Sequence, residues 1–183
     1  MTTREKSEPP TSRSPFLSNN ALLCYLALTK LVIHLATNVA GGYGYFRDEL
    51  YYIACSDHMA WGYVDQPPFS IAALWLSRLL FGDSLVALRF FPGVAGAMVV
   101  ALAGLMTREL GGKRFAQILA SCCVIVAPLA LGTNSYFSMN SFDVLFWTLA
   151  FYLLIIILHN DRDPAASLQV CVFDQTRDTD LRW

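Results

Sequence analysis

The sequence predicts an all-α, multispanning membrane protein, and two observations lead to this prediction. Hydrophobic residues make up 55% of the 183-residue chain and charged residues only 15%. Soluble domains are about a quarter charged, so this balance is typical of membrane proteins. In addition, apolar runs close to the roughly 20 residues that a membrane helix needs occur at residues 21–40, 85–106, 115–131 and 142–158.

Composition divides the chain into three regions. Residues 1–16 are polar and rich in Ser, Thr and Pro, which predicts a disordered tail. Residues 17–160 contain the apolar runs, and residues 161–183 form a second polar tail with little pattern. The net charge of −1 gives nucleic acid nothing to bind electrostatically. The five cysteines include no Cys-x-x-Cys pair and do not form a disulfide framework.

A shorter apolar run, residues 69–81, is predicted to lie along the membrane surface. It has about 13 residues, fewer than a span needs, and Arg78 interrupts it. An interfacial helix fits both features.

The distribution of Lys and Arg then predicts the orientation of the chain. Short basic loops mark the cytoplasmic side. If residues 69–81 do not cross, the N-terminal tail and the basic turn at residues 108–114 both lie in the cytoplasm. The loops at residues 41–68 and 133–143 then lie outside, with three aspartates on one face, Asp48, Asp65 and Asp143. Acidic sites that converge at one membrane face indicate an active site.

The long polar interval at residues 44–70 carries most of the titratable side chains. A helix over residues 47–59 would place Asp48, Tyr52 and Cys55 on one face and Phe46, Leu50 and Ile53 on another. An amphipathic helix with a carboxylate and flanking aromatics suits a membrane–water boundary. The alternative interpretation is a solvated loop with interfacial aromatics.

Two polar residues, Lys30 and His34, lie four apart inside the first apolar run, and therefore on one helical face. Ionisable residues at membrane depth usually face a bundle interior or a polar cavity. Two roles remain open for them, a structural contact inside the bundle or direct contact with a substrate.

Four motifs, in this order, resemble the amino-terminal part of bacterial glycosyltransferase family 39. This family includes protein O-mannosyltransferases and the lipid A aminoarabinose transferases. The resemblance runs from about residue 22 to residue 159. The motifs are Phe-Arg-Asp-Glu-Leu-Tyr-Tyr at residues 46–52, Asp-Gln-Pro-Pro at 65–68, Leu-Arg-Phe-Phe-Pro at 88–92 and Ser-Met-Asn-Ser-Phe-Asp at 138–143.

The resemblance implies a GT-C fold whose first outer loop holds the catalytic acid. Such enzymes move a sugar, generally with inversion, from a polyprenyl-phosphate carrier to a protein or lipid acceptor. Asp48 falls on the catalytic acidic position, Glu49 beside it is grouped with it as catalytic, and Asp143 falls on the acidic position of the second outer loop. Asp65 precedes the Pro-Pro pair, where some relatives hold a metal or substrate. Asp65 is therefore the candidate ligand for a divalent cation, and no other cofactor is implied.

The residue types suit this chemistry. A carboxylate can take the proton from an attacking acceptor hydroxyl, and a second can stabilise an oxocarbenium-like transition state. The departing phosphate needs cations, for which Arg47, Arg78 and Arg89 are the candidates on the outer side. For Arg89, a role in snorkelling at the interface competes with phosphate binding. Tyr52, on the face of Asp48, is grouped with the substrate-binding residues.

The leading hypothesis is therefore a multi-pass glycosyltransferase of the bacterial cytoplasmic membrane, with its N-terminus in the cytoplasm. Family members usually have several hundred residues, so the chain is also expected to be a truncated form, and its activity alone is left open. One alternative is a small transporter that uses Lys30, His34 and Asp143 as a polar pathway, and another is a non-catalytic membrane subunit. A transporter would place its charges near the midplane and often repeat its topology. This sequence shows no repeat.

Overall fold

The computed structural model describes residues 19–42 and 44–160, so both predicted polar tails lie outside the described residues. All regular structure within these ranges is helical. In chain order the helices are α1 (Asn19–Ala40), α2 (Arg47–Asp57), α3 (Pro68–Phe81), α4 (Leu85–Leu88), α5 (Phe90–Glu109), α6 (Arg114–Val126), α7 (Pro128–Thr133) and α8 (Met139–Asn160).

Within the described part of the chain, three helical segments are long and apolar enough to cross a membrane, namely Asn20–Ala40, Leu85–Glu109 and Met139–Asn160. They confirm the prediction of a multispanning all-α membrane protein and match three of the four predicted spans. Together with the helices that pack on them, they form a bundle around α5, which contacts α1, α6 and α8.

The fourth predicted span is not one continuous helix, so the prediction of a single helix over residues 115–131 is wrong. Helix α6 ends at Val126, and Ala127 has an extended backbone with φ −60° and ψ 123°. Pro128 follows and begins α7. Proline disfavours the α conformation of the preceding residue and has no N–H to donate, which explains the break.

Small residues on α5 allow the neighbouring helices to approach closely. Gly93 faces α1, where a Cβ would lie 3.4 Å from the Leu31 side chain. A Cβ on Gly104 would collide with Leu23 on α1 and with Ser121 on α6. The sequence pattern of Gly93, Ala97 and Ala101 predicts such a contact, and the structure extends it to Gly104. Close approach through small residues is typical of membrane helices.

The bundle has two ends, here called the Glu49 end and the Arg108 end after a residue at each. At the Glu49 end, Arg89, which precedes α5, contacts Glu49 of α2. At the Arg108 end, Arg108 of α5 donates to Asn20 at the start of α1. Helix α8 begins near Tyr52 at the Glu49 end. Its last turn lines a groove with Glu109 at the Arg108 end. Helix α1 therefore runs towards the Glu49 end, whereas α5 and α8 both run towards the Arg108 end.

Helix α3 lies across the Glu49 end instead of running along the bundle. The ring of Phe69, in its first turn, is 5.5 Å from the ring of Phe142 in α8. The ring of Phe81, at its last residue, is 4.9 Å from Phe90 at the start of α5. Both ends of α3 thus meet the same end of the bundle. The sequence predicts this placement from the shortness of the run and from Arg78.

Candidate functional site

The candidate site is built around the first turn of α2, at residues 47–49. Glu49 N–H donates to the carbonyl of Phe46 over 3.0 Å, and the carboxylate of Glu49 turns back to accept from Phe46 N–H over 2.8 Å. This second contact is half of a capping box, in which a Glu in the first turn satisfies a backbone donor at the helix start. The side chain of Glu49 consequently points into the bundle, where it is fully buried.

Four hydrogen bonds saturate the buried carboxylate of Glu49. Arg89 donates from Nε to Oε1 and from Nη2 to Oε2, both over 2.8 Å. Phe137 N–H donates to Oε1 over 2.7 Å, in addition to the bond from Phe46 N–H. A carboxylate offers about four lone-pair positions, so Glu49 has none left for a substrate. The geometry therefore favours a positioning role for Glu49 over the catalytic role expected from the sequence.

Arg89 uses its remaining donors on two further segments. Nη2 also donates to the carbonyl of Gly44 over 3.0 Å, and Nη1 lies 3.5 Å from Oδ1 of Asn38 in α1. The Glu49–Arg89 ion pair thus joins α1, the segment before α2, the start of α5 and the segment before α8. Neither role predicted for Arg89, snorkelling or phosphate binding, matches this contact.

Asp48 has a different environment from its neighbour Glu49. Half of its side chain is exposed, and its nearest cation is Arg47, with Nε 3.4 Å from Oδ1. The Arg47 side chain is 92% exposed, so this pair is weak and easily separated. The side chains of Asp48 and Arg47 are therefore both accessible to solvent.

Tyr52 lies on the buried face of α2 with Glu49 and Ser56, so it does not share an exposed face with Asp48. Its hydroxyl oxygen accepts from Met139 N–H over 3.0 Å, and its ring packs edge-on against Phe137 at 5.1 Å. Burial raises the pKa of the Tyr52 hydroxyl above its ordinary value, which keeps it protonated. The structure thus gives Tyr52, predicted to bind substrate, a contact that holds the start of α8 against α2.

Asp143 lines a groove of about 420 Å³ between the starts of α3 and α8. The groove is shared with Pro67 of the Asp-Gln-Pro-Pro motif, so two motifs that are far apart in sequence meet here. Asp143 is exposed, and Asp48 does not line this groove. The groove-lining residues are Pro67, Phe69, Ser70, Met139, Asn140, Phe142, Asp143 and Phe146.

Asp65 is exposed in the loop before Pro67. The pKa of Tyr51 is raised, chiefly by neighbouring Cys55 and in smaller part by the charge of Asp65. Asp65 therefore lies near the exposed side of α2. Among residues 19–42 and 44–160, no group of three His, Cys, Asp or Glu side chains is close enough to hold a metal. A divalent cation at Asp65 stays a prediction.

A second groove, of about 630 Å³, lies on the α1 side of the Glu49–Arg89 ion pair. Arg89 and Asn38 both line it, and the Nδ2 of Asn38 is buried without a hydrogen-bond partner among the described residues. This groove therefore contains hydrogen-bond donors beside α1.

Arg78, a further cation considered for phosphate binding, is occupied by carboxylates. Its guanidinium contacts Asp83 over 2.5 Å and Asp57 over 2.6 Å, and it also donates to Ser56 Oγ. The hydrogen bonds to Asp83 and Asp57 raise its pKa further. Arg78 consequently fastens α3 to the end of α2.

Sequence reasoning missed the backbone donors of the site, the N–H groups of Phe137 and Met139. A backbone group leaves no sequence signal of its own. The pairing of Glu49 with Arg89 did have a sequence signal. Glu49 occupies the first turn of α2, and Arg89 directly precedes an apolar helix. If either charged side chain is buried at these positions, it needs a partner of opposite charge.

Comparison with known proteins supplies a family. A family model described as dolichyl-phosphate-mannose-protein mannosyltransferase matches residues 65–173, more than half of the chain. The match includes Asp65, Arg89 and Asp143, begins after Asp48 and Glu49, and continues into the polar tail beyond residue 160. No curated protein and no solved structure matches the chain. The chain belongs to the dolichyl-phosphate-mannose-protein mannosyltransferase family, which consists of membrane glycosyltransferases of the GT-C type.

Proposed function

We propose that this protein transfers a sugar, with inversion, from a polyprenyl-phosphate carrier to a hydroxyl group of a protein or lipid acceptor. The observation that carries the proposal is the convergence of three acidic motifs at the Glu49 end. Met139 N–H bonds Tyr52, one helical turn after Asp48. Pro67, two residues after Asp65, lines a groove with Asp143.

Asp48 acts as the general base in this proposal. It is the carboxylate of the α2 turn that remains half exposed, and within the described residues it pairs with the exposed side chain of Arg47. A base must accept a proton from the attacking hydroxyl as the bond to the anomeric carbon forms. Glu49 cannot do this without losing one of its four hydrogen bonds, so its role is to hold the turn that presents Asp48.

Asp143 orients the acceptor or the sugar in the groove at the start of α8. This groove is largely apolar, and its one charged side chain is acidic. It therefore suits a neutral hydroxyl-bearing group better than a phosphate. A base at Asp48 and an orienting group at Asp143 would need a substrate that bridges them, because Asp48 lies outside the groove. Their approach to one shared cavity remains a prediction.

Arg47 is the proposed partner of the departing phosphate, because its guanidinium is exposed and weakly paired. Arg89 and Arg78 are held by carboxylates and serve to position the motifs. Lys30, which a transporter would use in its pathway, donates to a backbone carbonyl. This contact supports the enzyme over the transporter.

The proposed location is the bacterial cytoplasmic membrane, with the Glu49 end outside and the N-terminus in the cytoplasm. The Arg108 end carries Arg108, Lys113 and Arg114, and basic residues concentrate on the cytoplasmic side. The donor would then be used on the outer face, where the acidic motifs lie.

The decisive experiment is the substitution Asp48→Asn in the full chain, reconstituted with a radiolabelled polyprenyl-phosphate mannose and membrane protein acceptors. Removing a general base typically costs about 10²–10⁴-fold in rate, so transfer should fall at least about a hundredfold. Because Asp48 is half exposed and makes one weak ion pair, insertion and thermal unfolding should stay unchanged.

The matched control is Glu109→Gln, which removes a carboxylate at the opposite end of the bundle and should leave transfer unchanged. Full transfer by a folded Asp48→Asn protein would refute the base assignment. Absence of transfer by the unsubstituted chain with this donor would contradict the proposed function itself.

A further inference from the structure

A buried lysine in the first membrane helix contacts the break in the α6–α7 segment. Lys30 lies in the middle of α1 and is 0% exposed. Its Nζ donates over 3.2 Å to the carbonyl of Ile125, 95 positions further along the chain. Ile125 is in the last turn of α6, directly before the break at Ala127. The lysine thus bonds the backbone of a broken helix.

The break creates the need for this donor. The last carbonyl groups of any helix have no partner within it, and Pro128 brings no N–H that could extend the ladder. In water, solvent would satisfy such groups, but inside a membrane bundle each one needs an internal partner. Lys30 supplies one for Ile125, so it acts as a side-chain cap delivered from another helix.

The broken helix leads directly into the candidate site. Helix α7 has only six residues, and the four residues after Asn134 connect it to α8. Within this connection, Phe137 N–H donates to Glu49, and Met139 N–H then donates to Tyr52. Ser141 Oγ also bonds the carbonyl of Thr133. The direction in which α7 leaves the break therefore sets where these backbone donors lie.

We propose that Lys30 is a positioning residue for the active site, and that it acts by fixing the bend at Ala127–Pro128. The bend directs residues 135–138 to the first turn of α2. This proposal rests on the proposed function for its effect on catalysis, whereas its effect on the backbone does not depend on any activity. Lys30 therefore has a function without touching the substrate.

His34, on the next turn of α1, does not share this role. Both of its ring nitrogens are buried without a hydrogen-bond partner among the described residues. Its Cβ lies where a side chain on Gly93 would meet it. Lys30 and His34 were paired by their spacing in the sequence, but only Lys30 reaches the broken helix.

Hydrogen exchange measured by mass spectrometry on the reconstituted full chain tests the proposal. Lys30→Met keeps the length and removes the donor. Loss of a buried hydrogen bond is enough to change an opening equilibrium by about tenfold. We therefore expect exchange at residues 135–138 to accelerate about tenfold, with exchange in α5 unchanged.

Thr29→Val is the matched control, because Thr29 is exposed on the neighbouring position of α1 and bonds only the carbonyl of Tyr25 in its own helix. It should leave exchange at residues 135–138 unaltered. Unchanged exchange in Lys30→Met would overturn the proposal. Acceleration that is equal in α5 and in residues 135–138 would also overturn it, since it would indicate general packing.

A second variant keeps the proposal testable if Lys30→Met does not insert. Pro128→Ala allows the helix to continue, which gives the Ile125 carbonyl a backbone donor and redirects the chain. Exchange at residues 135–138 should then accelerate although Lys30 is intact. In the double variant, Lys30→Met should add little, because residues that act through one contact are not additive. No acceleration in Pro128→Ala, or full additivity, contradicts the proposal.

The catalytic consequence is measured separately. In the transfer assay, Lys30→Met should lower kcat with little change in KM for the lipid donor, and Lys30→Arg, which retains a donor, should restore part of the rate. Altered exchange together with unaltered transfer would refute the catalytic part of the proposal. If the unsubstituted chain transfers no sugar, the exchange result still decides whether Lys30 holds the bend.

Discussion

Helix α5 is flanked by an Arg–Glu ion pair at each end, and the two pairs have opposite properties. At one end Arg89 meets Glu49 through two bonds of 2.8 Å, and both side chains are buried. At the other end Arg108 and Glu109 are neighbours in sequence, with 3.3 Å between Nη2 and Oε1 and side chains 38% and 26% exposed.

The difference shows that the contribution of an ion pair to the fold depends on its burial and on the sequence separation of its partners. The pair at Glu49 joins two segments that are 40 residues apart in the chain. Glu49 also accepts a hydrogen bond from Phe137 N–H in a third segment. Removing one partner of a buried pair leaves a desolvated charge and costs about 3–5 kcal/mol. An exposed pair contributes about 0–1 kcal/mol. The Arg108 pair joins two neighbouring residues of one helix and is partly exposed, so its loss should change the fold little.

The largest expected effect is that of Glu49→Gln. The substitution leaves Arg89 buried without its counter-ion and places an amide N–H₂ against backbone donors. We expect a loss of about 3–5 kcal/mol in the free energy of unfolding, measured by denaturation in bicelles. Glu109→Gln, the same chemical change at the other pair, should cost less than about 1 kcal/mol. Equal losses from both variants would contradict the comparison.

An intermediate effect is expected for Arg78→Met, which removes the contacts between α3 and the end of α2 but keeps the apolar stem. Arg78 bonds two carboxylates and Ser56 Oγ, although the carboxylates are more than half exposed. Exposure weakens such bonds, so the expected cost is about 1–2 kcal/mol. Thermal unfolding of both variants in the same detergent measures this cost. A loss of stability as large as that of Glu49→Gln would show that exposure does not determine which contacts stabilise the fold most.

The smallest effect on stability is expected from two separate cysteine substitutions, which serve to measure on which side of the membrane each end of the bundle lies. Trp61→Cys lies in the exposed loop before α3, and Glu109→Cys lies at the Arg108 end. Surface substitutions usually stay within about 0.5 kcal/mol. In intact cells, with native cysteines replaced, an impermeant maleimide should label Cys at position 61 and not at position 109. The reverse labelling pattern would invert the proposed orientation.

The candidate site was predicted in part. The motifs at residues 46–52, 65–68 and 138–143 lie in segments that meet at the Glu49 end, although their site roles stay a prediction. The sequence did not separate Asp48 from Glu49, since one residue along a helix turns the side chain by about 100°. Which of the two carboxylates is buried depends on where Arg89 and residue 137 lie in space.

The sequence by itself determined that the protein is a helical membrane protein and which runs are long enough to span. It also determined that the run at residues 69–81 is too short. These features follow from composition, run length and the position of charges, which are local properties. Pro128 marks the end of the fourth run in the sequence as well, and the backbone ladder breaks just before it.

Only the tertiary structure decided the roles of individual polar groups. Glu49 accepts four hydrogen bonds, Lys30 donates to the backbone at the break between α6 and α7, and Tyr52 accepts from the start of α8. Each outcome depends on a donor or acceptor that lies 40 to 95 residues away in the chain. In a bundle that excludes water, buried polar groups must find partners within the protein, and the packing of the helices determines which groups meet.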